Sequence, residues 1–318
     1  MAVEKPVPMR KVRAHFGLER EPFGRISGRR DIYRSAKYRD SMEQIADWIR
    51  DGEIFCVIGN IGSGKTTLIG DLMQSAMARR PEYSDLELIH VGHPDRENMG
   101  VGSTIYPAIQ MHFASTVGTT VCQVPGNAQR RYIWLKTLLG QTLADKRVCL
   151  LIEECHRLSG AYLKALKEFS EIGWATRESL LSIGLIGHPA VETTLKRYAR
   201  DVYARVMVGN KFVRDVSEMQ ADEVTAYLKH RCGKCGNANV FHPAAARLIA
   251  RVCSTPLEIN DMAWKGMAAA YRAGSKQVLM RHVSEGYTVP ELVQRLNLGL
   301  PFLARATGKS KATISDTL

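Results

Sequence analysis

The chain has 318 residues, 45% of them apolar and 24% charged, and carries a formal net charge of +12. That length admits one ordinary domain plus one or two small ones, and the composition excludes disordered and fibrous classes. No apolar run is long enough to span a membrane and the N-terminus has no signal-like apolar core, so a cytoplasmic protein without a membrane partner is expected.

The first 39 residues hold eleven Lys or Arg against four acids. Such an excess favours a polyanionic partner, DNA or RNA first, although charge alone also serves solubility. A helix over Tyr38 to Trp48 leads into Ile54-Phe55-Cys56-Val57-Ile58, an apolar, partly β-branched run suited to a buried parallel strand. Directly after it stands Gly59-Asn60-Ile61-Gly62-Ser63-Gly64-Lys65-Thr66, a complete G-x-x-x-x-G-K-T phosphate-binding loop, followed by Thr67 and a helical pattern to Arg79. Strand, glycine loop and helix occur in the order that gives the motif physical meaning. The glycines let N–H groups turn toward phosphates, and the helix adds its positive end. Lys65 would reach the β- and γ-phosphates, and the Thr66 hydroxyl would ligate magnesium.

Leu86 to Val91 reads as a second strand, and Arg130 to Ala144 as a helix. Arg147-Val148-Cys149-Leu150-Leu151-Ile152 is a third strand, ending in Glu153-Glu154. Two acids after a buried run suit a metal-orienting carboxylate, Glu153, and a water-polarising one, Glu154; the competing reading is a negative start to the next helix. Leu158 to Ile172 is helical in pattern. Leu181 to Gly187 is another strand, with His188 just beyond it, where it would sense a γ-phosphate, hold the water, or simply cap a turn before Pro189. Val202 to Val208 is read as a further strand. Strands alternating with helical patterns predict an α/β fold with a parallel sheet and helices on both faces.

Seven cysteines, two of them in core strands at Cys56 and Cys149, fit a reducing compartment. His230, Cys232, Cys235 and His242 could form a Cys2His2 zinc site, but the second half is irregular and a tight loop between helices is the preferred reading. The tail from Leu300 to Ser315 has the cadence of a helix-turn-helix, with Pro290 to Leu298 as a supporting helix and Lys309, Lys311, Thr313 and Ser315 facing DNA; a packing tail is the alternative.

The opening His15-Phe16-Gly17-Leu18-Glu19-Arg20-Glu21-Pro22-Phe23 resembles the "FGL…PF" start of the ExeA-like branch of AAA+ ATPases. The likeness continues through Leu151 to Leu158, Ile186-Gly187-His188-Pro189, Tyr203-Ala204-Arg205-Val206 and Thr255 to Asn260, covering roughly residues 10 to 275. This branch includes a general-secretion ATPase and transposition regulators resembling the Mu B protein, TnsC and TniB. The resemblance implies an AAA+ ATPase with a small helical lid that assembles with ATP between subunits. By position Glu153 and Glu154 look like the Walker B pair, His188 like the first sensor, and Arg205 like an arginine finger serving a neighbour. Leu257 stands where many relatives place a second-sensor arginine.

The expected division is a basic N-terminal segment with lead-in helix over 1–50, a nucleotide-binding α/β domain over 51–212, a lid over 213–283 and a basic tail over 284–318. The leading functional expectation is a DNA-binding regulator of transposition and recombination that forms a ring or filament with ATP and Mg2+, recruits a transposase, and disassembles on hydrolysis. A secretion ATPase and a weakly hydrolysing interaction module are the alternatives.

Overall fold

The three central strands of a parallel sheet are apolar and almost wholly buried, which only a sheet covered by helices on both faces allows. The computed structural model describes residues 7–26, 28–91, 100–117, 123–142, 145–173 and 179–285. In chain order these form α1 (Met9–His15), α2 (Ala36–Arg50), β1 (Ile54–Ile58), α3 (Lys65–Met77), β2 (Leu86–Val91), α4 (Val101–Val117), α5 (Ala128–Thr137), β3 (Arg147–Ile152), α6 (Gly160–Ser170), β4 (Leu181–Gly187), α7 (Ala190–Tyr198), α8 (Arg200–Tyr203), β5 (Phe212–Arg214), α9 (Ala221–Gly233), α10 (Pro243–Val252), α11 (Pro256–Arg272) and α12 (Met280–Glu285). The described residues divide into a sheet unit within 36–216 and a helical unit within 7–35 and 217–285.

In the sheet unit the strand order is β2-β3-β4-β1-β5, all parallel. Register aligns the carboxyl ends: Ile58 lies opposite Gly187, and Ile152 opposite Val91 and Leu185. Whatever follows β1, β3, β4 and β5 therefore emerges along one edge, the place where open α/β sheets bind ligands. Ile54, Cys56 and Ile58 face one side with residues of α4, α6 and α7 in a single apolar cluster. Phe55 faces the other side, its ring 5.7 Å from Trp48 of α2. Each such side chain, fully buried, contributes about 1.5–3 kcal/mol by leaving water.

One expected element is different. Val202 to Val208 is helical, as α8 running into a π-helical turn over Ala204–Val208. Val202 and Val206, four residues apart, are both buried, so a helical period wins over the β-branched composition. The fifth strand is the three-residue β5, which pairs with β1.

The helical unit buries Val224, Leu228, Ile249, Ile259, Met262 and Met267 in its own core. Capping boxes at Gln220/Glu223 and Thr255/Glu258 start α9 and α11, each satisfying two orphan N–H groups. The N-terminal motif belongs here: Phe16, Leu18 and Phe23 join this core. The buried Arg231 guanidinium donates to the carbonyls of Pro22 (2.6 Å) and Gly24 (2.9 Å). Residues 7–35 thus group with the helices from 217 onward, whereas α2 groups with the sheet. That partition differs from the sequence-based boundaries at 50 and 212, because apolar contacts made by the distant Phe16 and Phe23 outweigh sequence proximity.

Candidate active site

The loop from Gly59 to Thr66 joins β1 to α3. Gly62 and Gly64 have φ of 82° and 84°, left-handed values that a side chain would strain, and Gly64 sits at the start of α3. Gly59 is needed for space: a Cβ there would lie 2.3 Å from Ser63 Oγ and 2.9 Å from an Asp215 carboxylate oxygen. Its N–H donates to the carbonyl of Gly187 at 3.2 Å, and the Asp215 N–H donates to Ile58 at 2.9 Å, tying the loop to the ends of β4 and β5. Lys65 Nζ donates to the carbonyls of Gly59 (2.7 Å) and Asn60 (2.9 Å). Burial lowers the Lys65 pKa, opposed by the charges of Glu154, Asp215 and Glu153.

Glu153 and Glu154 follow β3 immediately. Glu153 lies 3.7 Å from His90 Nε2, and Glu154 lies 3.6 Å from His156 Nε2. Glu154 has φ 51°, a left-handed turn that a non-glycine residue holds only against strain. It does not begin a long helix; a 3-10 turn over Cys155–Arg157 comes first. His188 is on the next strand end. Its N–H donates to His156 Nδ1 (3.4 Å), its own Nδ1 accepts from Ala190 N–H (3.3 Å), and its ring centre is 5.9 Å from that of His156. His188 therefore caps the turn into α7 and also faces the carboxylate end of the sheet. Burial lowers the His156 pKa, with Glu154 opposing and His188 adding to the fall.

The fold brings Lys65, Glu153, Glu154 and His188 to one sheet edge, and adds three residues that sequence reasoning passed over. His90 and His156 lie beside the two glutamates; His156 was visible two residues past Glu154. Asp215 follows a strand too short to show in the pattern, so nothing along the chain announced it. Arg205 is not part of this cluster. Its guanidinium bonds Ser170 Oγ (3.3 Å) and Glu171 (2.8 Å), at the end of α6. Leu257 is an exposed residue in the first turn of α11, in the helical unit.

The zinc site, the less favoured reading of the sequence, has no convergent geometry among the described residues. Cys232 and Cys235 are buried in the helical core, and the His242 side chain accepts from the N–H of Ala244 as a helix cap. Among the described residues no three His, Cys, Asp or Glu side chains converge as metal ligands. Lys309, Lys311, Thr313 and Ser315, with the helix-turn-helix and its supporting helix, lie outside the described residues.

The phosphate loop implies ATP with Mg2+, and the residues here fit that pair. A Cβ added at Gly59 would close the cradle, and among the described residues the partly buried Lys65 ammonium bonds the loop oxygens of Gly59, Asn60 and Ser63. Magnesium takes few protein ligands and completes its shell with phosphate and water, so a closed carboxylate cage is not required for it.

Residues 49–195 match the family described as AAA domain. No curated protein sequence matches the chain. Among solved structures, the ORC2 protein of Aeropyrum pernix in ADPNP–ADP complexes is similar at 16% identity and a TM-score of 0.52, over 84% of this chain and 73% of that one. Cdc6p from Pyrobaculum aerophilum is similar at 15% identity and a TM-score of 0.53, over 88% of this chain and 74% of that one. Drosophila ORC bound to DNA is similar at 14% identity and a TM-score of 0.53, over 98% of this chain and 83% of that one. These likenesses are of fold. With strand order, phosphate loop and family match in agreement, the chain carries an AAA+ P-loop ATPase domain, and it is an ATP-hydrolysing enzyme.

Proposed function

We propose that this ATPase binds duplex DNA, assembles on it into a ring or filament when ATP is held, and regulates DNA transposition by recruiting or stimulating a transposase. The observation that carries the assembly part is the separation of Arg205 from its own site. Lys65, Glu154 and His188 share one sheet edge, while Arg205 is held at the end of α6 by Ser170 and Glu171. An arginine finger that serves a neighbour makes turnover depend on assembly. The net charge of +12 supports a polyanionic partner, as does fold likeness to an ORC bound to DNA. The transposition assignment rests on the ordered motif resemblance from Phe16 through Asn260.

ATP supplies a transferable γ-phosphoryl group, and bound Mg2+ would supply positive charge to offset that developing on it. Lys65 stabilises the phosphate oxygens, moving from the carbonyls of Gly59 and Asn60. Thr66 and Glu153 would hold the metal. Glu154 polarises the attacking water, and His188 holds that water or reads the γ-phosphate. Arg205 of a neighbouring copy stabilises the transition-state charge.

The test is duplex-DNA binding at fixed salt with ATP, a non-hydrolysable analogue, ADP and no nucleotide, alongside light scattering. Tight binding and large assemblies confined to ATP and the analogue would uphold the reading. No DNA binding in any nucleotide state would end it. Removing residues 286–318 then asks whether the tail reads DNA: unchanged affinity and salt dependence mean it does not.

A further inference from the structure

The sheet unit carries two surfaces of opposite charge on its two faces. On α2 Asp40, Glu43 and Asp47 recur at i, i+3 and i+7, and Asp51, directly after the helix with its N–H on the Asp47 carbonyl, continues the stripe at i+11; all four are exposed. Arg50 donates to Asp47 at 3.2 Å, and Lys37 and Arg39 flank the stripe at its start. Asp40, Glu43 and Asp51 have no basic partner among the described residues. On the other face a cleft of about 530 Å³ opens between α6 and the α7–α8 junction, lined by Lys164, Lys167, Arg197, Tyr198, Arg200 and Asp201. Lys164, Arg197 and Arg200 are exposed and without a carboxylate partner among the described residues. Lys167 is shared between Asp201 (3.0 Å) and Glu171 (3.9 Å), and Glu171 in turn holds Arg205 (2.8 Å).

We propose that this basic groove receives the acidic stripe of α2 from a second copy of the chain, head to tail. The inference rests on the self-assembly reading above and names the surfaces that would bring it about. Alternation along β1 puts α2 and α6–α8 on opposite faces of the sheet, as Phe55 against Trp48 and Ile54 against the α4–α8 cluster show. The two surfaces therefore cannot satisfy each other within one chain. A contact between two different patches of the same molecule is heterologous, and it propagates into a ring or an open helix. The ion pairs from Lys167 through Glu171 place Arg205 beside the same groove, so docking there brings the finger to the boundary between copies. Solvent-exposed charges of this kind orient and accelerate association and lose strength with salt. DNA is the competing occupant of a basic groove. The stripe of opposite sign on the same unit favours a second copy.

The experiment uses the full chain with a non-hydrolysable ATP analogue and follows assembly by light scattering across protein concentration at low and high salt. One variant reverses the groove (Lys164→Glu, Arg197→Glu, Arg200→Glu); the other reverses the stripe (Asp40→Lys, Glu43→Lys, Asp51→Lys). Each alone should raise the concentration needed for assembly on the order of tenfold or more at low salt. An equimolar mixture should recover, because each variant's stripe then matches the other's groove, and misfolded chains could not do so. A milder groove set with glutamine at the same three positions should give a smaller rise in the same direction. Assembly by both variants as by wild type, or no recovery on mixing, would overturn the proposal. So would a groove variant that assembles normally yet loses duplex-DNA affinity, which would give the groove to nucleic acid. Wild-type protein that never assembles would instead sink the self-assembly reading itself.

Discussion

The main-chain N–H of His188 donates to Nδ1 of His156 across 3.4 Å, which requires that nitrogen to be unprotonated. Burial pushes the His156 pKa down, and Glu154 opposes it. A histidine whose folded pKa is depressed binds its proton first in the unfolded chain. Stability is therefore lost as pH falls below the ordinary histidine range, about 6.5, and regained above it. His156→Gln should flatten the fall in melting temperature between about pH 7 and pH 5. An unchanged pH profile would exclude His156 as the source.

Lys65→Ala should remove nucleotide binding, because the phosphates lose their main cation. The same change should leave the nucleotide-free protein as stable or slightly more so. Burial lowers the Lys65 pKa, so the charged form costs folding free energy at neutral pH, a cost that would fade only as pH rises toward the usual lysine value. Thermal unfolding with and without ATP separates the two effects. A large loss of stability without nucleotide would count against this account.

Gly59→Ala forces a methyl group into contact with Ser63 and Asp215. Overpacking of this kind costs about 1–3 kcal/mol. Both the melting temperature and ATP affinity should drop, measured by calorimetry and by titration with a fluorescent ATP analogue. Wild-type values would mean that the loop relaxes freely.

Glu154→Gln should keep ATP and DNA binding while slowing hydrolysis by about 10²-fold or more, the usual loss when a general base goes. Complexes on DNA should correspondingly persist. Normal turnover would remove Glu154 from the chemistry.

Arg205→Ala should lower turnover by about 10³-fold or more and leave the nucleotide affinity of the isolated subunit nearly intact. Turnover measured after mixing with a Lys65→Ala chain distinguishes a shared site from a self-contained one. A large loss of monomer affinity would contradict a finger supplied by a neighbour.

Four strands were legible along the chain to the residue: β1, β3 and β4 are nearly continuous apolar runs whose ends the loop and acids mark, and β2 keeps Leu86, Leu88, Ile89 and Val91 buried around a half-buried Glu87 and an exposed His90. The segment around Arg205 was misread for a related reason. Val202, Val206 and Val208 suggest a strand by composition, yet the buried pair Val202 and Val206 follows a helical period. Asp215 escaped notice because β5 has only three residues, too few to establish an alternation. His156 lay in plain view, but a histidine after two glutamates declares no role until β4 sets His188 beside it.

The order of residues by itself determined the strand–loop–helix unit, the paired glutamates and the α/β class. Local propensity and short-range spacing suffice for these, since each element's neighbours along the chain specify it. Tertiary structure alone decided that Phe16 and Phe23 belong to the helical core, that Asp215 meets the phosphate loop, and that Arg205 is held by Glu171. Those relations join residues far apart in sequence, and parallel pairing and side-chain packing, which no local pattern records, bring them together.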